Sequence, residues 1–259
     1  MARIDTLKNF LTDIADKFRA KLGTTELINH ADYDVKIDEV YDKGTEDGRE
    51  ALWDILFNNE IRKGNFPYAF YRWKEFDFGT RLDGIKYKNV FWMFAQSGVK
   101  SLDIVFDLSE ITANINNMFY SCSDLEYVKK IIFSDQGNLP TMTQMFYAAP
   151  KLKEIRFEGV IDNSINIVAS TLLSKDSIRG SLATEEEIAN GKNLFTSEID
   201  GNTYYGGLIT ALSTTKGATL TISKTAVTNA FGSTDSDEWK ELISGKCNTQ
   251  GGPWTISLK

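Results

Sequence analysis

Residues able to perform nucleophilic or metal chemistry are few in this chain. It contains two cysteines, Cys122 and Cys247, and a single histidine, His30. A serine or cysteine nucleophile needs a base beside it, and His30 falls in a polar junction between two predicted helices, where a histidine is typically a surface or capping residue. The three residues together do not complete a four-ligand zinc site or a disulfide framework. Both thiols are therefore predicted to be small, buried, apolar groups.

Acidic residues and glycine-rich stretches offer no stronger indication of catalysis. Asp32 with Asp34, and Glu185 to Glu187, lie near predicted helix starts, where carboxylates are typically solvated and favoured by the helix dipole. The stretches "GTEDGRE" and "DGNTYYGG" lack the preceding strand and the Lys and Ser/Thr of a phosphate-binding loop. The sequence predicts a protein that is not an enzyme, with no catalytic, cofactor-binding or metal-binding residues. A carbohydrate-active enzyme with two acidic residues in a groove remains an alternative.

Composition and charge exclude several classes of partner. The chain has 259 residues and a formal net charge of -7, so it has no overall attraction for phosphate backbones or anionic lipids. No apolar run approaches the roughly 18 residues of a membrane helix, and the first residues do not resemble a secretory signal. We therefore expect no nucleic acid partner, no membrane insertion, and synthesis in the cytoplasm.

The first part of the chain, residues 1–60, is predicted to be helical and to serve attachment or oligomerisation. Apolar residues recur at intervals of three and four before Gly23, which is the pattern of an amphipathic helix. The same intervals form the seam of a short coiled coil, so the helix could dock onto another chain or pack on its own chain. The residues predicted to mediate oligomerisation or docking are Ile4, Leu7, Leu11, Ile14 and Phe18.

Residues 61–88 are rich in aromatic side chains. Seven of them lie between Phe66 and Phe78, and Pro67 disfavours a helix beginning before it. Such a cluster could stack on sugar rings or nucleobases. The favoured interpretation is a cap at the N-terminal end of the repeats that follow, because terminal repeats need a different outer face.

Residues 89–175 contain a repeated pattern centred on the dipeptide Met-Phe. It occurs at Met93, Met118 and Met145, with spacings of 25 and 27 residues that lie within the leucine-rich-repeat range. Each unit is predicted to contain a helical or 3₁₀ turn carrying Met-Phe, a bend, and a short strand. Because a stacked unit buries only one stripe against its neighbours, the same positions must be apolar in each unit. The predicted repeat core comprises Met93, Phe94, Met118, Phe119, Cys122, Leu125, Met145, Phe146 and Leu152.

Residues 176–259 are predicted to form an α/β C-terminal cap with an insertion at 179–205. The insertion is expected to contain a short acidic helix and a hairpin turning at Asp200-Gly201. Beyond it, the pattern predicts a helix at "LITALS", a strand at "ATLTIS", a helix capped by Ser236 or Asp237, and a strand at "PWTISLK". The predicted fold class is α/β: an N-terminal helical segment, then a short leucine-rich-repeat solenoid with an α/β C-terminal cap.

Several stretches resemble a known family. "MFYSCSDLEYVKKIIF" and "MFYAAPKLKEIRF" resemble the BspA-like leucine-rich repeats of bacterial surface proteins and phage proteins. "LTDIADKFRAKLGTTELINHADYDVKIDEV" is similar to the helical N-terminal module of phage tail and virion-associated proteins. "GATLTISKTAVTNAFG…EWKELISGK…WTISL" is similar to the closing segment of phage leucine-rich-repeat proteins.

The resemblance implies a non-enzymatic phage virion structural protein of the tail tip, baseplate or fibre, located on the virion. The expected partners are other virion proteins, bound through the N-terminal region, and a protein or polysaccharide of the host cell surface. A homo-oligomer is also expected. The repeat domain would point outward for host adhesion or particle decoration. The alternative is a bacterial leucine-rich-repeat interaction or adhesin module that is not part of a virion.

Overall fold

The computed structural model describes residues 12, 14–17, 19–20, 64–74, 82–111, 115–134, 141–168, 170–189 and 196–259. The chain divides into two compact units, Met1–Lys63 and Gly64–Lys259. In the first unit, the described residues between 12 and 20 are helical, with Ile14 buried and Thr12 exposed. The other residues predicted to mediate docking, Ile4, Leu7, Leu11 and Phe18, lie outside the described residues.

The second unit combines short strands with short helices. The strands are β1 (Ser101–Asp107), β2 (Tyr127–Ile132), β3 (Glu154–Glu158), β4 (Ile165–Ile167), β5 (Gly180–Leu182), β6 (Thr196–Ile199), β7 (Asn202–Gly206), β8 (Thr219–Ile222) and β9 (Thr255–Leu258). The α-helices are α1 (Lys175–Arg179), α2 (Glu185–Ala189), α3 (Lys224–Phe231) and α4 (Asp237–Ile243), and Asn248–Gln250 forms a 3₁₀ turn.

Three separate sheets organise these strands. β1, β2 and β3 pair in parallel in that order, β4, β8 and β9 form a second parallel sheet, and β5, β7 and β6 form an antiparallel sheet. In β1, Leu102, Ile104 and Phe106 point inward, while Ser101 and Asp103 are exposed. This alternation buries one face of the first sheet, because successive side chains of a strand point to opposite faces.

The predicted leucine-rich-repeat solenoid with an α/β cap is wrong. The described strands form three small sheets that do not close into one solenoid, and the described part of the second unit holds only four α-helices, all short. The apolar repeat pattern ends at Phe157, so β4 does not extend the first sheet. Instead, Ile165 of β4 lies opposite Leu220 of β8, which is far along the chain. The fold is mixed α/β, and the predicted helical segment at 1–60 lies almost entirely outside the described residues.

Local patterns in the C-terminal part have mixed outcomes. The strands at 219–222 and 255–258 are confirmed, as is α4, whose N-cap is Ser236: its side chain accepts a hydrogen bond from the Trp239 amide. The hairpin of β6 and β7 turns at Asp200-Gly201, as predicted. The helix predicted at "LITALS" is wrong, because this stretch is a buried turn whose amides bond to neighbouring segments: Leu208 N–H donates to Ser177 O at 2.9 Å.

Candidate functional site

The turns that carry the Met-Phe dipeptides are not helical. In the turn around Met93, the amide of every second residue closes a β-turn by donating to the carbonyl three residues back, as from Met93 to Val90 at 3.1 Å. The amides between them donate to the next unit, as from Phe94 to Met118 O at 2.9 Å and from Gln96 to Tyr120 O at 2.7 Å. The predicted helical or 3₁₀ turn is therefore replaced by overlapping β-turns, hydrogen-bonded from unit to unit.

The unit around Phe70 has the same backbone pattern as the three Met-Phe units. Its amides donate to the unit around Met93: Tyr68 to Phe91 O at 2.9 Å and Phe70 to Met93 O at 2.8 Å. Part of the predicted aromatic-rich cap, residues 64–74, is thus a fourth turn of the same kind. The Met-Phe pattern does not reveal this fourth turn, because Ala69 occupies the position of methionine in the other three units.

A column of stacked phenylalanines lies beneath these turns. The rings of Phe70, Phe94, Phe119 and Phe146 are stacked in that order, with centroid separations of 5.0, 5.6 and 5.2 Å. Offset-stacked pairs at such distances stabilise a core by about 0.5–1.5 kcal/mol beyond the burial of their area. The column fixes the spacing of the four turns, and hence of the side chains on their outer side.

All nine residues of the predicted repeat core are buried among the described residues. Cys122 Sγ donates to Phe94 O at 3.0 Å and lies 3.7 Å from Ser97 Oγ. Burial raises the pKa of the Cys122 thiol to about 11, so it is protonated at neutral pH and a poor nucleophile. Ala149 holds the equivalent position in the next unit and is also fully buried. This position therefore serves packing.

Two residues in each turn adopt a left-handed backbone conformation without being glycine. One lies directly before the dipeptide and the other lies two residues after it, and each has φ between 55° and 63°. Such a conformation costs roughly 1–2 kcal/mol for a residue with a side chain, and strained residues cluster at functional sites. None of these eight residues is fully buried, although the side-chain oxygen of Asn117 is inaccessible to solvent and has no hydrogen-bond partner among the described residues. The eight residues are Tyr68, Arg72, Trp92, Gln96, Asn117, Ser121, Gln144 and Ala148.

Aromatic rings and amides dominate the outer side of the four turns. We define the aromatic face as the six aromatic side chains on this side: Tyr68, Tyr71, Phe91, Trp92, Tyr120 and Tyr147. Trp92 lies 5.3 Å from Tyr120, and Tyr120 is stacked on Tyr147 at 5.4 Å. Tyr68 lies 6.1 Å from Trp92 at the other end of the row. The aromatic face is therefore one continuous row across four units.

The rings within the row cover one another, so their orientation decides what a ligand meets. Tyr120 and Tyr147 are inclined by only 14° and stacked, so each ring covers one face of the other. The rings at the two ends are the most exposed: 42% of the Tyr68 surface and 38% of the Tyr147 surface are accessible. A ligand therefore meets ring edges along the row and more open ring surface at its ends.

Polar neighbours of the aromatic face are almost all uncharged. Gln96, Ser121 and Gln144 supply amides and a hydroxyl, and Arg72 is the one charged residue among the eight left-handed positions. Its Nε donates to Gln96 Oε1 at 2.8 Å, and its guanidinium lies 4.9 Å from the Tyr71 ring centroid. Burial and the neighbouring Tyr71 raise the pKa of Tyr68, so this hydroxyl also stays uncharged. The aromatic face is thus nearly neutral.

The strand side of the same units has the opposite character. Ion pairs connect neighbouring strands, as between Lys129 and Asp103 at 3.1 Å and between Lys130 and Glu158 at 2.8 Å. The pair of Lys129 and Asp103 is exposed, and exposed pairs of this kind contribute little to stability. Charge is therefore concentrated on the strand side, while the aromatic face is uncharged in a chain of which 25% of the residues are charged.

A buried lysine lies outside the repeated units. Lys246 is 5% exposed, and its Nζ donates to Leu212 O at 2.5 Å and to Thr210 O at 3.2 Å. Burial lowers the pKa of Lys246 to about 8. Because its contacts are main-chain carbonyls of the turn before β8, its role is to satisfy acceptors that this buried turn leaves open.

The residues considered for catalysis from the sequence do not form a site among the described residues. His30, Asp32 and Asp34 lie outside them, and Glu185 and Glu186 are exposed on the short helix α2. No group of three His, Cys, Asp or Glu residues in the described ranges is placed to hold a metal ion. No helix of the described part is both long and apolar enough to span a membrane.

The sequence indicated only the beginning of the aromatic face, as part of the aromatic-rich stretch at 61–88. "MFY" at 118–120 and at 145–147 was a usable signal, because a tyrosine directly after the buried phenylalanine must point outward in both units. Comparison with protein-family models, with curated proteins and with solved structures found no match.

Proposed function

We propose that this protein is a non-enzymatic structural protein of a phage virion that contacts the host surface through the aromatic face. The observation that carries the binding role is the continuous, uncharged row of six aromatic side chains from Tyr68 to Tyr147. Aromatic residues supply large contact area at low cost in conformational entropy, and neighbouring amides and hydroxyls supply adaptable hydrogen bonds.

Backbone strain supports a role in recognition for the same surface. The left-handed positions include Trp92, Gln96 and Gln144, none of which is buried. Glycine adopts this conformation without strain, yet none of the eight positions holds glycine. Keeping larger side chains there costs stability and adds to the binding surface.

The virion part of the proposal is supported by the N-terminal stretch of the chain. The N-terminal stretch is similar to the helical module of virion-associated proteins, and the apolar seam at Ile4, Leu7 and Leu11 provides a means of attachment to other virion proteins or of homo-oligomerisation. The aromatic face belongs to the other compact unit, Gly64–Lys259.

Incorporation into particles tests this proposal. Purified phage particles are analysed by mass spectrometry and labelled with antibodies for electron microscopy, for the full-length chain and for a chain lacking residues 1–45. The full-length protein is expected on the particle and the truncated protein is expected to be lost. Unchanged incorporation of the truncated chain would contradict the attachment role proposed for residues 1–45. Absence of the full-length protein from particles would favour a bacterial interaction or adhesin module.

A further inference from the structure

We propose that the aromatic face binds an uncharged polysaccharide, lying along the row from Tyr68 to Tyr147. This inference rests on the proposed function and names the class of ligand for the same surface.

Charge disfavours nucleic acids and acidic glycans. The net charge of the chain is -7, and Arg72, the one cation among the left-handed residues, already bonds to Gln96 and packs on Tyr71. Binding a polyanion depends on neutralising its phosphates or carboxylates with lysine and arginine. An uncharged polymer meets no such requirement.

Ring orientation favours a ligand rich in oxygen. The edge of an aromatic ring carries partial positive charge, and a tyrosine hydroxyl both donates and accepts hydrogen bonds. Tyr120 and Tyr147 have their ring edges side by side because their rings are stacked. Sugar hydroxyls and ring oxygens can contact the edges and phenol groups, while the C–H face of a sugar can pack on the exposed Tyr147 ring.

Backbone hydrogen bonding disfavours an extended peptide. A peptide that adds a strand needs open main-chain donors and acceptors. Within the row, Gln96 N–H donates to Tyr120 O at 2.7 Å, and Ser121 N–H donates to Tyr147 O at 2.7 Å. These two donors are occupied by the neighbouring unit, so recognition beside them uses side chains. Gln144 and the NH₂ group of Gln96 lie beside the rings and are suited to sugar hydroxyl groups.

Affinity electrophoresis of the full-length chain tests the inference. Native gels contain hydroxyethyl cellulose, galactomannan or dextran as neutral probes, or alginate as an acidic probe. We expect retardation in at least one neutral gel and none in alginate. Tyr147→Ala should weaken binding about tenfold, because it removes the exposed ring at one end of the row, and Tyr147→Phe should weaken it less. Tyr127→Ala is the matched control, because Tyr127 is a half-buried tyrosine on strand β2.

Thermal unfolding of each variant shows whether it is folded. Tyr147 is at the end of the row and exposed, so Tyr147→Ala should fold; Gln96→Ala, also exposed, is a second variant with the same expected direction. The inference is overturned if no neutral gel retards the protein, if alginate retards it equally, or if Tyr147→Ala binds like the wild type. A loss of self-association in Tyr147→Ala, measured by sedimentation, would instead assign the face to a second copy of the chain.

The two proposals can fail separately. A protein found on particles but retarded in no neutral gel would retain the virion role and lose the polysaccharide ligand. A protein retarded in a neutral gel but absent from particles would retain the ligand and lose the virion role.

Discussion

Cys122 of one unit donates a hydrogen bond from Sγ to the main-chain oxygen of Phe94 in the preceding unit, at 3.0 Å. The same oxygen also accepts from the amide of Ser97 at 3.0 Å. Removing the thiol therefore leaves the carbonyl with a donor. The contribution of the Cys122 thiol to the free energy of unfolding is therefore small.

The first prediction compares two truncations in one unit. Cys122→Ala should lower the free energy of unfolding by about 1 kcal/mol, whereas Phe119→Ala should lower it by about 3–5 kcal/mol because it leaves a cavity between two stacked rings. Denaturation in guanidinium chloride measures both. Equal losses would contradict the packing role assigned to the cysteine position.

The second prediction concerns thiol reactivity. Because burial raises the pKa of Cys122 to about 11 and the side chain is inaccessible, the native protein should not react with Ellman's reagent at neutral pH. Cys247→Ala isolates the signal of Cys122, and reaction in denaturant is the positive control. Rapid native reaction would show that the thiol becomes exposed without global unfolding.

The third prediction follows from Lys246. Its pKa is lowered from 10.5 to about 8 by burial, so between these values the unfolded chain binds more protons than the folded chain. The contribution of Lys246 to the free energy of unfolding should therefore rise from about pH 8 to about pH 10.5. Lys246→Met should remove this rise, and the exposed Lys224→Met is the control. Denaturation at pH 7, 9 and 10 measures the free energy of unfolding of each protein. The wild-type value minus the Lys246→Met value should increase with pH, whereas the same difference for Lys224→Met should not change.

The fourth prediction concerns a close approach of two chain segments. A Cβ atom at Gly159, where φ is +84°, would lie 2.2 Å from the carbonyl oxygen of Phe133. Gly159→Ala should destabilise the fold by about 3 kcal/mol or more, from backbone strain and overlap together. Gly84, with φ of +72° and no atom within 4 Å of such a Cβ, is the matched site, where alanine should cost about 1 kcal/mol. Similar melting temperatures for the two variants would contradict the overlap.

The fifth prediction tests the strain of the turns. Ala148 has φ of 55°, so Ala148→Gly should stabilise the protein by up to about 1 kcal/mol, after the entropy cost of glycine is subtracted. Its neighbour Ala149 is fully buried and lacks a positive φ. Ala149→Gly should destabilise by about 1–2 kcal/mol, because it adds chain entropy and removes a buried methyl group. Thermal and chemical denaturation of both variants provide the comparison.

Local sequence signals predicted the elements better than their assembly. Ser236 capping α4 and the turn at Asp200-Gly201 follow from residue types within a few positions, so they could be read directly. The pairing of Ile165 with Leu220 depends on contacts between distant segments, which periodicity does not encode. The prediction of one solenoid failed for this reason. "LITALS" failed because a short buried apolar run has the same pattern in a turn as in a helix.

The aromatic face could be anticipated only in part. Tyr120 and Tyr147 follow the buried phenylalanine in a repeated "MFY", which fixes their direction. Trp92 and Gln144 could not be assigned, because their left-handed conformation has no sequence signal when glycine is absent. Their placement is set by the main-chain bonds between neighbouring turns.

In these turns, the main-chain groups that maintain the fold are distinct from the side chains proposed to bind a ligand. The turns are held to one another by main-chain groups, as from Asn117 N–H to Thr143 O at 3.1 Å, and by buried rings beneath them. An outward side chain such as Tyr147 or Gln96 can therefore be exchanged with little change to the frame. Under the proposed function, point mutations would let the lineage follow a changing host coat while the protein keeps its fold.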